Sequence, residues 1–155
     1  LNMKTTLTLL FLIVGIGVKP LAAQRGKNFN LTHQIAIDGY DPVAYFTQHK
    51  AVKGSKQFAV KADGVVYYLS SSENKALFLA NYKQYEPQYG GWCAYAMGAY
   101  GEKVEIDPSK FKIVEGKLYL FYYSFINNTL NKWNEDEKHL KIEADKNWIK
   151  INNKK

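Results

Sequence analysis

The chain has 155 residues, a formal net charge of +7, 46% hydrophobic and 15% aromatic side chains, and a single cysteine, Cys93. One cysteine excludes an internal disulfide framework, so packing alone must hold the fold, and the aromatic share supplies the apolar area for it. No basic block of nucleic-acid type is present, so nucleic acid is excluded as a partner; the moderate lysine excess fits a solvated surface or contact with an anionic one.

At the start of the chain, Met3 and Lys4, an apolar run over 6–18 and Leu21-Ala22-Ala23 read as a secretory signal peptide over 1–23. A run of that length falls short of the roughly 20 residues of a bilayer span, and no later run is longer. The expectation is an exported protein, periplasmic or secreted, with no stable membrane anchor once the signal is cleaved. Cys93 lies far from the cleavage point, which argues against lipid attachment there. What remains suits one domain, read as a monomer.

Residues 24–37 are largely polar and aperiodic and read as a flexible lead-in, with the domain over 38–151 and a solvated tail over 152–155. Asp38-Gly39-Tyr40-Asp41-Pro42 is turn chemistry, after which Val43-Ala44-Tyr45-Phe46 enters the core. The β-prone runs 57–61 and 65–70 flank Ala62-Asp63-Gly64, which predicts a hairpin. Ser71 or Ser72 is placed to cap a helix with Ala76, Leu77, Leu79 and Ala80 on its apolar face, ending near Tyr82.

Beyond Glu86-Pro87, the alanine-rich run 94–99 predicts a short helix starting close to Trp92 or Cys93. Residues 103–106 read as a strand, and Asp107-Pro108-Ser109 as a capped helical turn. A second hairpin is expected around Glu115-Gly116, joining 111–114 to 117–122. Residues 124–151 contain neither proline nor glycine and read as two helices joined near 134–137. The expected class is α+β: two β-hairpins forming a small antiparallel sheet, packed with short helices, and two C-terminal helices.

Chemistry is concentrated in Tyr89-Gly90-Gly91-Trp92-Cys93-Ala94-Tyr95-Ala96-Met97. A glycine turn feeding a helix puts Cys93 in the first turn, where backbone N–H groups and the macrodipole favour a thiolate. Met97, four residues on, shares its face. A thiolate and a thioether form a soft donor set that selects Cu(I) over magnesium or calcium, so Cys93 and Met97 are the candidate metal ligands and copper the candidate cofactor. A third ligand would come from His33, His49, His139 or a partner. The plainer reading makes Cys93 a small buried hydrophobe and Met97 a gap-filler. A thiol enzyme needs a base, and no histidine lies in this segment, which favours binding over catalysis.

The tyrosines are numerous enough to wall a pocket for a small ligand or a protein partner, with Tyr89, Trp92 and Tyr95 as the candidate ligand-binding residues; such side chains also fill cores with their hydroxyls at the rim. Asp38, Asp41 and Asp107 adjoin glycine or proline and read as turn and cap residues. Asn30-Leu31-Thr32 and Asn127-Asn128-Thr129 match the N-glycosylation triplet.

Several stretches, Gly39-Tyr40-Asp41-Pro42-Val43-Ala44-Tyr45-Phe46, Tyr67-Tyr68-Leu69-Ser70-Ser71, Tyr89-Gly90-Gly91-Trp92-Cys93-Ala94-Tyr95 and Val104-Glu105-Ile106-Asp107-Pro108 among them, carry a resemblance. On these residues the region 38–151 resembles the YHS domain family in its exported single-domain form. The resemblance implies a compact α+β fold and a metal-binding role, since related YHS domains occur in metal-handling proteins such as copper-transporting ATPases. The metal-associated relatives carry cysteines after the second hairpin strand and early in the next helix. Here residues 69–75 contain none, and Leu69 stands between Tyr68 and Ser70 where the family's histidine is expected. Cys93 with Met97 is what carries the metal role in this chain.

Two readings follow. One is an exported binding domain taking copper or another soft metal through Cys93 and Met97; the other is an aromatic-lined module for a small ligand or protein, without metal.

Overall fold

Two Asp/Glu-Gly pairs set the main hairpins. Asp63 and Gly64 have φ of 48° and 84°, and Glu115 and Gly116 have 52° and 70°; two successive left-handed residues are what a tight hairpin turn matching strand twist requires. The first pair joins β3 (Ser55–Ala62) to β4 (Val65–Leu69), and the second joins β5 (Asp107–Val114) to β6 (Lys117–Phe121). The computed structural model describes residues 26–154; the signal peptide expected over 1–23 lies outside them.

Before the first hairpin come two short strands, β1 (Leu31–Thr32) and β2 (Ile35–Ala36), and a helical turn, α1 (Ala44–Thr47). After it come α2 (Ser72–Ala80), α3 (Tyr82–Tyr85) and α4 (Ala94–Ala99). Past β6 a further very short hairpin, β7 (Tyr123–Ser124) and β8 (Asn127–Asn128), leads into α5 (Thr129–Glu135) and α6 (Glu137–Asn153). One sheet has the order β1-β2-β4-β3, with β2 parallel to β4 and the other pairs antiparallel; β5-β6 and β7-β8 are separate two-stranded sheets. The α+β class and the C-terminal helices are as expected, whereas the two main hairpins do not share one sheet.

β6 joins two hydrophobic cores. Successive side chains of a strand point to opposite faces, and in β6 both faces are buried. Leu118 and Leu120 join one cluster with Val43, Tyr45, Tyr67 and Phe78. Tyr119 and Phe121 join the other with Tyr89, Met97, Trp133 and Leu140.

Ser71 caps α2 as expected, its side chain accepting from the Asn74 N–H. The apolar face assigned to that helix is corrected: Leu77 and Leu79 are exposed, and Asn74 and Phe78 face inward. Asn74 is drawn in because its amide donates to buried Asp41 at 2.7 Å. Residues 103–106 form no strand, and Asp107 opens β5 instead of a helical turn, with its Oδ1 accepting from the Ser109 N–H at 2.8 Å. The lead-in over 24–37 is corrected too, because Phe29, Ala36 and Ile37 are buried in the first core. The tail over 152–155 begins inside α6, which runs to Asn153. Among the described residues no helix is long and apolar enough to cross a membrane.

Candidate functional site

Cys93 is the N-cap residue of α4, not a first-turn residue, and it is completely buried. Its Sγ accepts the Tyr122 N–H at 3.3 Å and lies 3.4 Å from Thr129 Oγ1, while Thr129 Oγ1 donates to the Tyr122 carbonyl at 2.7 Å. The thiol therefore closes a small polar knot tying α4 to the end of β6 and the start of α5. Met97 is equally buried, in the second core among Tyr119, Trp133 and Leu140. Among the described residues no group of three or more His, Cys, Asp and Glu side chains is placed to hold a metal ion.

Two outcomes are expected from this packing. Ellman's reagent will label Cys93 in denaturant and leave it essentially unlabelled in the native protein, since a sealed thiol reacts only through opening of the fold. Chelator competition for Cu(I) under reducing conditions will give the same affinity for the wild type, Cys93→Ser and Met97→Ala; a loss confined to the two variants would restore the sulfur site.

The aromatic residues of this segment diverge. The Tyr89 hydroxyl donates to Asp145 Oδ1 at 2.9 Å, and burial, reinforced by that carboxylate, holds the phenol well above its ordinary range. Trp92 donates its indole N–H to the Asn28 carbonyl at 2.7 Å. Tyr95 packs edge-on against exposed Tyr100, whose hydrogen bond raises the Tyr95 phenol. Tyr89 is buried in the second core and Trp92 and Tyr95 are partly buried against it, but their polar ends go to Asp145, to the Asn28 carbonyl and toward Tyr100 respectively. An open cleft of about 590 Å³ is lined by Lys27, Glu102, Lys103 and Lys154, and the Lys103 ammonium lies 5.8 Å from the Trp92 ring centroid. Burial, and then Lys27, holds the Lys103 ammonium below the ordinary lysine range.

A more enclosed pocket of about 390 Å³ lies elsewhere, between the β1–β2 turn, residues 38–39 and the segment leading into β3. Tyr68 forms one wall, and His33, Asp38, Lys53 and Lys56 bring polar groups to it. Glycine lets the backbone close around the ring: a Cβ on Gly54 would sit 2.2 Å from the Tyr68 carbonyl oxygen, and one on Gly39 would sit 3.3 Å from Tyr68 Cδ2. The two glycines are joined directly, Gly54 N–H donating to the Gly39 carbonyl at 2.8 Å.

The frame of this pocket is strained. His33, Gln34, Ile37 and Asp38 have φ of 52°, 69°, 52° and 49°. Left-handed backbone is uncommon for non-glycine residues and an outlier for β-branched isoleucine, and such strain collects at ligand sites and switch regions. Ile37 tolerates it because its side chain is buried in the first core and its carbonyl accepts the Tyr40 N–H at 2.9 Å. The charges are arranged as well. Thr32 Oγ1 donates to Asp38 Oδ1 at 2.6 Å, and Lys53 Nζ donates to the Asp38 carbonyl while lying 4.4 Å from the Tyr40 ring centroid.

Sequence reasoning singled out His33 and the Asp38-Gly39 turn, but not Lys53, Lys56 or Tyr68 as their partners. No local spacing joins these positions; the parallel pairing of β2 with β4, the Tyr40–Lys53 bridge and the β3–β4 pairing together bring them to one place. No family model, no curated protein and no solved structure matches the chain.

Proposed function

We propose that the protein is an exported binding module, YHS-like in type, that takes a small organic anion in the pocket walled by Tyr68. The observation that carries this reading is the convergence of Lys53, Lys56 and His33 on one partly open pocket beside an aromatic wall, against a single lining carboxylate already engaged by Thr32. Small-ligand sites are concavities of about 300–1,000 Å³ with a mostly apolar lining and a few oriented polar groups. An anionic head between the lysines and a flat body against Tyr68 satisfy both features.

The YHS-like assignment is supported by the structural roles of its motif residues. Asp41 ties three elements together, and Gly90 lies so close to Phe29 that a Cβ would fall 3.0 Å from its Cα. The soft-metal reading of Cys93 and Met97 has no comparable observation behind it.

Titration of the whole chain with 4-hydroxybenzoate and with inorganic phosphate, followed by amide chemical shifts, tests the proposal. The organic anion is expected to shift Gly39, Gly54 and Tyr68, and Lys56→Glu to weaken its binding by about tenfold or more, as reversal of one charge near the ligand implies. Shifts confined to Gly101 and Lys103 would move the site to the open cleft, and no shift with any organic anion would overturn the reading.

A further inference from the structure

Four two-residue loops close antiparallel hairpins among the described residues, His33-Gln34, Asp63-Gly64, Glu115-Gly116 and Phe125-Ile126, and the last is the one built of two large apolar side chains. The register of that hairpin, Tyr123 opposite Asn128 and Ser124 opposite Asn127, leaves a two-residue loop, Phe125-Ile126. Loops of that length favour Asn, Asp or Gly, as the Asp63-Gly64 turn of this chain does. Phe125 and Ile126 are instead 97% and 91% exposed, the two most exposed large apolar side chains among the described residues. Single exposed apolar residues are ordinary; an adjacent pair of large apolar side chains, almost fully exposed at a hairpin tip, is not explained by packing, and departures of this kind concentrate at functional positions.

The base of this hairpin is fastened. Tyr122 and Thr129 bracket it, with Thr129 N–H and Oγ1 both donating to the Tyr122 carbonyl at 3.2 and 2.7 Å. The Tyr122 N–H is held by the buried Cys93 sulfur. Beside it stands half-exposed Tyr123, with Lys110 Nζ 4.3 Å from its ring centroid.

We propose that Phe125 and Ile126 form a wedge that enters an anionic lipid surface, with Tyr123 and Lys110 at headgroup level and the Cys93–Thr129 knot keeping the hairpin upright. A lipid surface fits better than a protein. Two residues on a hairpin tip bury far less than the roughly 800 Å² per partner of a stable protein interface. An apolar tip with an amphipathic tyrosine and a lysine behind it is instead the order of groups found from acyl boundary to headgroup. The charge left without residues 1–23, 19 − 14 = +5, has the sign that anionic headgroups attract. Asp107, across the β5–β6 ladder from Phe121, is a carboxylate near the hairpin base, and its Oδ1 is taken up by the Ser109 N–H.

The whole chain also carries the apolar run over 6–18, so the readout must be local to the tip. Ile126→Cys offers a single reachable thiol, because Cys93 is sealed, and is labelled with the fluorophore NBD; Glu115→Cys, in the turn at the far end of the β5–β6 hairpin, is the control. With vesicles of phosphatidylglycerol and phosphatidylcholine, the probe at 126 is expected to brighten, shift to the blue and be quenched by doxyl-labelled lipid, and the probe at 115 to do none of these. Unlabelled Phe125→Ser/Ile126→Ser, shown folded by circular dichroism, is expected to partition onto these vesicles about tenfold or more weakly than the wild type. A probe at 126 that is unchanged by lipid, or already shielded without it, overturns the proposal. So does equal partitioning of the double variant, which would assign any vesicle binding to the N-terminal run.

Discussion

Replacing Asp41 with alanine should lower the unfolding free energy by about 3–5 kcal/mol, read as a drop in the urea midpoint with an unchanged slope. The side chain is completely buried. Its Oδ1 accepts from the N–H groups of Val43 and Ala44 at 2.8 and 3.3 Å, opening α1. Its Oδ2 accepts from Ser70 N–H, Ser70 Oγ and Asn74 Nδ2 at 2.7, 2.6 and 2.7 Å, where β4 ends and α2 begins. Alanine would strand five donors with little water to replace the lost acceptor, and each orphaned buried donor costs about 1–3 kcal/mol before relaxation. Asp41→Asn separates shape from acceptor capacity. It fills the same space but turns an NH2 toward donors on one side, so it should fall between alanine and the wild type. An alanine variant within about 1 kcal/mol of the wild type would show that water reaches this cluster and that Asp41 does not organise the fold.

That residue also marks where the sequence was legible and where it was not. Asp41 beside Pro42 reads as a turn and cap residue, and its Oδ1 does cap α1. The Asp63-Gly64 and Glu115-Gly116 turns, the Ser71 cap, the start of α4 after Cys93 and the break between α5 and α6 near Asp136 are likewise written in neighbouring residues. What Oδ2 does is not, because its partners lie 29 and 33 residues away. The inward turn of Asn74 follows from that distant bond, and with it the failure of the apolar-face reading of α2. The Tyr68 pocket was hidden for a similar reason: β1 and β2 are two residues each, too short for alternation to show, and the pairing of β2 with β4 together with the Tyr40–Lys53 bridge places His33 near Lys53. The Cys93 segment was conspicuous for its composition. Its glycines and its sulfur turn out to serve close packing and a hydrogen-bonded knot, which residue type alone does not distinguish from a ligand set.

Gly98→Ala sets local propensity directly against packing, and packing should win. Gly98 lies in α4, where alanine is favoured over glycine by about 1 kcal/mol, and removal of a glycine also stiffens the unfolded chain by about 0.4–1 kcal/mol in the stabilising direction. Those terms alone predict a more stable protein. A Cβ at this position, however, would stand 2.4 Å from the Leu140 carbonyl oxygen, 3.1 Å from its carbon and 3.2 Å from its Cα. These are backbone atoms of α6, so no rotamer change relieves the clash. The two helices must separate, loosening Leu140, Ala144 and Met97 in the second core and the Asn147 Nδ2 bond to the Met97 carbonyl at 2.9 Å. Forced expansion of a packed core costs about 1–3 kcal/mol, sometimes more, and a rigid obstacle puts this site at the upper end. A net loss of about 2–3 kcal/mol is expected, seen as a fall in Tm of about 10 °C. Gly116→Ala is the control, because its φ of 70° imposes strain of about 1–2 kcal/mol while nothing lies within 4 Å of the added Cβ. If Gly98→Ala proves the more stable of the two variants, α4 and α6 are not in the close contact from which the second core is built.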